Sequence, residues 1–331
     1  MTKRIGILLG LLALSGGLAF ATSVSKGNRL RQLQEFPGAV AGSSAVARIW
    51  YVDSADGSNG SLGISPTSPL ATLAYALTQA ESDDTIFLTP GGSETVTSTI
   101  SVSTARVKIF CPADNLNSGY TITGAGTLDL MTVSAANVTI EGLRFVHTGT
   151  TSSTSGILTT AAADQLTVSS CLFSDVAATS SAGGAGVELV DDADYALIEG
   201  CTFIDTVSGV LCTTANAATC VSPTVRDCVF YCGMTTGFGI RAEPTGSGAV
   251  LGFTIRDCVF LEQDGGGTAA TDAWNGTDGT DGASGPILFA VGVDQWVTVN
   301  CRAQSIGGTP TFANSTGIPA GAVGVNVNSA P

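Results

Sequence analysis

Basic groups are what this sequence has least of. Past residue 26 it holds a single lysine, Lys108, and the whole chain holds one histidine, His147. Thirteen Lys and Arg stand against 27 Asp and Glu, a formal net charge of -14. A surface with that balance repels phosphate backbones and excludes nucleic acid as a partner. Metal-ligand spacing is missing as well: no C-x-x-C pair and no histidine partner accompanies the nine cysteines, so neither a metal nor a cofactor is expected. The longest early apolar run, Ile5 to Leu14, falls short of the roughly 20 residues that cross a bilayer, so no stable membrane span is expected once a leader is removed. Only 12% of the 331 residues are charged while 44% are hydrophobic. Such a chain folds, and it is long enough for one large domain or two ordinary ones.

The amino terminus places Lys3 and Arg4 before that apolar run and closes it with Ala19-Phe20-Ala21. Residues 1–21 therefore read as a signal peptide cut before Thr22, or as a hydrophobic N-terminal arm. Residues 22–47 read as a linker or attachment arm, with Arg29, Arg31 and Phe36 among small residues.

From residue 136 onward one phrase recurs: ANVTIEGLRFVH, DQLTVSSCLFSD, DYALIEGCTFID, SPTVRDCVFYC, GFTIRDCVFLE and, degenerate, DQWVTVNCRA. Its central position is Leu143, Cys171, Cys201, Cys228, Cys258 and Cys301, at spacings of 28, 30, 27, 30 and 43 residues. Each copy reads apolar-x-apolar, two polar or small residues, then apolar-x-Phe. Alternation on both sides of a short corner means two strands joined at an angle, each with one buried face. The stretches between copies are rich in Gly, Ser, Thr and Ala and show no helical period. A leucine-rich repeat would need an upstream leucine and an apolar return segment, which TTAAAD does not supply. The pattern predicts an all-β parallel β-helix over residues 48–305, one repeat per rung.

Stacked rungs turn repeated positions into columns. Phe145, Phe173, Phe203, Phe230 and Phe260 form one; Leu143 and the five cysteines from Cys171 to Cys301 form another. Both are expected to face the interior as a structural core ladder, the cysteines as free thiols. Cys212 and Cys220 flank a small polar stretch outside the phrase and read either as a loop-closing pair or as two more buried thiols. Glu199, Arg226 and Arg256 share one corner position, with Asp227 beside Asp257, and read as an exposed charge ladder.

Upstream, Ser68-Pro69 followed by Leu70, Leu73, Leu77 and Ala80 predicts a short amphipathic helix ending near Gln79, laid over the open end of the solenoid. YVDSADGSNGSLGISPTSPLATL followed by DDTIFLTPGGSET resembles the opening of pectate-lyase-like right-handed β-helix proteins. More narrowly, ARVKIFCPADN and AANVTIEGLRFV are similar to β-helix proteins of environmental tailed phages. The likeness covers about residues 48–262. It implies a virion or decoration role, with capsid or other virion proteins as partners and side-by-side trimers.

Catalytic residues are not assigned. The pectate-lyase segments WIDH and RxPxxR and the polygalacturonase segments GHG and RIK are absent, and Asp191, Asp192 and Asp194 read as turn-solvating residues. His147 reads as a rung-edge residue. The 43-residue spacing before Cys301 contains a Gly-rich insertion whose Asp272, Trp274 and Asp278 are the candidate contact residues. Residues 306–331 read as a Gly, Pro and Ser-rich tail. The reading is a non-catalytic structural β-helix of a phage-like virion. Its alternative is an exported bacterial surface β-helix, secreted or cell-surface, that adheres or binds carbohydrate; a polysaccharide lyase or hydrolase comes third.

Overall fold

The computed structural model describes residues 47–113, 115, 117–148, 154–174, 185–206, 208–215, 217–232, 238–262, 285–289, 293–294, 296–304 and 325–327. The leader, the arm, the Asp272–Trp274–Asp278 insertion and most of the tail lie outside them.

Apart from one helix, the described residues are strands and turns, and every strand pairing is parallel. Sheet I stacks Ile49–Val52, Thr85–Leu88, Lys108–Phe110, Thr139–Glu141, Thr167–Ser169, Leu197–Glu199, Thr224–Arg226 and Thr254–Arg256. Sheet II follows each corner with Tyr120–Gly124, Leu143–His147, Leu172–Ser174, Thr202–Ile204, Val229–Cys232 and Val259–Glu262. The strand Val297–Gln304 runs through both sheets. Sheet III runs from Ile100–Val102 to Gly285–Phe289, and a short fourth sheet joins Thr219–Val221, Ala249–Leu251 and Val293–Asp294.

The corner between sheets I and II depends on backbone handedness. Gly142, Ser170, Gly200, Asp227, Asp257 and Asn300 each adopt φ between 50° and 77°. The left-handed region tolerates Gly best and then Asn and Asp, which is why this position changes identity but stays small or polar. One such residue bends the chain from one sheet into the next, and the alternation resumes on the other side.

Inside, side chains stack like with like. The Phe rings from Phe145 to Phe260 lie 4.8–5.0 Å apart, with interplanar angles of 4° to 8°. That separation is the rung spacing itself, so ladder hydrogen bonds impose the stacking. Leu143 and the five cysteines of the adjacent column are all buried. Each thiol donates to two carbonyls, as Cys228 does to Arg226 at 3.1 Å and to Ile198 one rung below at 3.7 Å. Burial, together with the thiols of Cys171 and Cys228, pushes the Cys201 thiol up, which keeps it protonated and unreactive.

The Phe column has a counterpart in glycine. A Cβ on Gly186 would lie 2.5 Å from the Phe203 ring and 2.8 Å from the Gly209 carbonyl oxygen, and Gly156 and Gly209 face Phe173 and Phe230 in the same way. Each glycine opens a strand of sheet III and makes room for the ring of its own rung.

The capping helix spans Leu73–Gln79, so the start expected at Ser68-Pro69 is corrected. Leu70 is extended and bridges to Val52; its N–H donates to Tyr51 at 2.8 Å and its carbonyl accepts from Asp53 at 2.9 Å. Those bonds tie residue 70 to the edge of the first strand, and helix formation begins only at Thr72. The Thr72 hydroxyl accepts from the Tyr75 N–H at 3.2 Å, and the Glu94 carboxylate accepts from Leu73 at 2.9 Å. Leu73, Ala76 and Leu77 face the core.

Candidate functional site

Among the described residues, two outward faces and one flank carry polar side chains dense enough to consider. The first is the outer face of sheet I. Residues that precede its strands sit in a second left-handed column: Arg106, Asn137, Gln165, Tyr195, Ser222 and Gly252, with φ from 52° to 70°. Left-handed backbone suits Asn and Gly here but is strained for a bulky aromatic. Tyr195 nevertheless adopts it at φ 57°, with 58% of its surface exposed. Together with Asn137, Thr139, Gln165, Thr167 and Leu197 it lines an open groove of about 580 Å³. Three rungs contribute, spaced about 4.8 Å apart. The groove therefore presents two amides, two hydroxyls and one aromatic ring at regular intervals.

The second face is the corner between sheets I and II, where Glu141, Ser169, Ser170, Glu199, Gly200 and Asp227 line a shallow depression of about 320 Å³. Its charges are largely matched. Lys108 lies 2.7 Å from Glu141, Arg226 Nε donates to Glu199 at 2.8 Å, and Arg256 stands 3.4 Å from Asp257. Glu199, Arg226 and Arg256 share one register position, as their spacing implied.

On the flank between sheets II and III, Ser155 joins two carboxylates. Its N–H donates to Asp129 at 2.7 Å, its hydroxyl donates to Glu188 at 2.5 Å, and its oxygen accepts from the Ala185 N–H at 3.2 Å. Burial pushes both carboxyl groups above the usual carboxylate range; the Ser155 N–H and, less, the neighbouring His147 oppose this at Asp129, and the Ser155 hydroxyl opposes it at Glu188. His147 ends its strand nearly buried, with Nε2 3.4 Å from the Thr154 hydroxyl. Perturbed carboxylates are often catalytic, but Ser155 is itself fully buried, and its hydrogen-bonding groups are all engaged in tying three successive rungs together. The arrangement is a brace.

The aspartates noted in the sequence also cap backbone. Asp191 accepts from the Ala215 N–H at 3.0 Å, Asp192 from Thr219 at 3.0 Å, and Asp194 from Val221 at 2.7 Å. They bond the next rung and do not converge on a common point in space. Among the described residues no three His, Cys, Asp or Glu side chains are grouped to hold a metal ion, and no helix is long and apolar enough to cross a membrane. Sequence reading missed both the Tyr195 groove and the Ser155 brace. The only signal for Tyr195 was a tyrosine at the position that holds Asn137 and Gln165 in earlier repeats.

A family model described as a right handed beta helix region matches residues 117–278. The protein is a right-handed parallel β-helix. Among solved structures the chain is similar to a lacto-N-biosidase from Eubacterium ramulus, with 10% identity and a TM-score of 0.57, covering 80% of this chain and 57% of that one. A second structure of that enzyme, in native form, gives 11% identity and a TM-score of 0.53 with the same coverage. An alginate lyase from Paenibacillus sp. str. FPU-7 shares 12% identity over 74% of this chain and 88% of that one, with a TM-score of 0.49. The chain thus spans little more than half the length of the lacto-N-biosidase, and identities this low speak to the fold alone. A search of curated proteins returns no match.

Proposed function

We infer that this β-helix is a non-catalytic saccharide-binding protein whose recognition surface is the outer face of sheet I, displayed on a phage-like virion or, in the alternative, on a bacterial surface. The observation that carries the reading is Tyr195, an exposed aromatic held in strained backbone on the outer rung of a groove otherwise lined by Asn137, Gln165, Thr139 and Thr167. An aromatic face stacks on the C–H face of a sugar ring, while amides and hydroxyls exchange hydrogen bonds with its hydroxyls. None of the described residues that line the groove is cationic, so neutral saccharides suit it better than acidic ones. Similarity to a lacto-N-biosidase agrees with a carbohydrate-related role. Catalysis is left out because the candidate carboxylates are bound into the rung lattice.

A glycan array probed with the full chain tests this. Binding to neutral oligosaccharides that disappears in Tyr195→Ala supports the reading, whereas release of reducing ends or unsaturated sugars from any bound polymer overturns its non-catalytic part. The virion placement rests on the resemblance of residues 48–262 to tailed-phage β-helices. It entails a homotrimer, and attachment through residues 22–46. Sedimentation of a strict monomer at high concentration contradicts the trimer, and particles that still incorporate a 22–46 deletion contradict the role of the arm.

A further inference from the structure

Cys212 and Cys220 differ from the other cysteines in how they meet. Cys171, Cys201, Cys228, Cys258 and Cys301 occupy one position on successive rungs, so their Cα–Cβ bonds run parallel and about 4.8 Å apart. A disulfide needs Cβ atoms about 3.8 Å apart and directed toward one another. Cys212 and Cys220 instead belong to one turn of the solenoid and approach from two different sheets. Cys212 stands in sheet III between Leu189 and Ala242, and Cys220 in the fourth sheet beside Val250. Both are completely buried; the Cys220 thiol donates to the Ala193 carbonyl at 3.4 Å, and its nearness, together with burial, pushes the Cys212 thiol up.

The connection they bracket has also grown. One rung earlier, Leu189 and Ala193 are separated by three residues, 190–192; between Cys212 and Cys220 lie seven, 213–219. The longer connection therefore carries a cross-linkable pair at its two inner ends.

We propose that Cys212 and Cys220 are an oxidisable dithiol that closes the 213–219 connection as a disulfide when the chain folds in the presence of a disulfide donor. One thiolate attacks the donor's S–S bond and releases one donor thiol. The second thiolate then attacks the mixed disulfide and releases the other. The donor gains two electrons and the two protons leave with its thiols. Because both sulfurs are inaccessible in the folded rung, the exchange takes place before that rung closes, and the finished bond is shielded from reduction.

The test refolds the full chain with oxidised glutathione or with a strong reductant, unfolds it without further reductant, and alkylates it for mass analysis. All nine cysteines are expected to be alkylated after reductive refolding, and all but two after oxidative refolding, with one linked peptide joining Cys212 to Cys220. Cys220→Ser is expected to abolish the difference, and the oxidised form is expected to melt about 5 °C above the reduced one. Nine alkylated cysteines after oxidative refolding, or a bridge mapped to any other pair, overturns the proposal; neither result depends on a variant that folds.

Discussion

The two sides of each rung obey different rules. Between sheets I and II the chain turns on one left-handed residue on every rung from Gly142 to Asn300, and the columns on both sides stay in register. Between sheets II and III the connection varies in length: it joins His147 to Ile157, Ser174 to Val187, and Ile204 to Ser208. At the invariant corner the backbone decides which residues are allowed. On the variable side the limit is set by the glycine that admits the Phe ring and by side chains such as Asp129 and Glu188 that satisfy backbone and hydroxyl groups. The first side fixes the scaffold and the second absorbs sequence change.

The largest effect should come from crowding the glycine and Phe columns. Gly186→Ala brings a Cβ to 2.5 Å from the Phe203 ring, and Phe203→Ala empties the same space from the other direction. Phe203→Ala should cost about 3 to 5 kcal/mol in urea unfolding, and Phe230→Ala the same. A near-neutral result at either Phe would mean that the column is not a packed core.

Next comes the corner itself. At Gly142 a Cβ would meet the Cys111 carbonyl oxygen at 2.1 Å, whereas at Gly200 the nearest atom is 3.8 Å away, and both glycines have positive φ. Gly200→Ala should therefore cost only the left-handed penalty, about 1 to 2 kcal/mol, and Gly142→Ala clearly more. Equal losses in a denaturation series would show that backbone handedness alone, without close approach, governs the corner.

A pH titration probes the variable side. Burial raises the Glu188 carboxyl, so its neutral form favours folding. That contribution is complete below the unfolded-state value, about 4.3, and is lost as pH rises through the higher folded-state value. Glu188→Gln should therefore melt above the parent at pH 7 and converge with it near pH 4. A gap that widens on acidification would reverse the sign. The smallest effect belongs to Arg226→Ala at the exposed corner, about 0 to 1 kcal/mol and diminished by salt.

Legibility in the sequence follows the same division. Alternation on both sides of Glu141-Gly142 gives the corner directly, and the fixed offset between Cys171 and Phe173 in each repeat gives two inward columns. Gly156, Gly186 and Gly209 were not legible, because a glycine inside a Gly, Ser and Thr-rich stretch looks like any loop residue until the Phe ring it accommodates is located. The helix start moved from Ser68 to Thr72 because a bridge from Leu70 to Val52 is a long-range pairing that local capping rules do not see. Tyr195 escaped notice because the strain that marks it is visible only as a backbone angle, and the Ser155 brace because its members come from three rungs. Asp272, Trp274 and Asp278 lie outside the described residues, and their role as a contact loop stands as a proposal.

The most direct measurement is calorimetric titration of the full chain with an oligosaccharide selected on the array, compared across the parent, Tyr195→Ala and Glu188→Gln, with the bound sugar recovered and its length checked. The account predicts that Tyr195→Ala loses binding by tenfold or more, equivalent to at least about 1.4 kcal/mol, that Glu188→Gln binds as the parent does, and that the sugar returns intact. Binding that survives Tyr195→Ala, or a shortened sugar whose cleavage depends on Glu188, would move the functional surface from sheet I to the flank of sheet III and contradict the central claim.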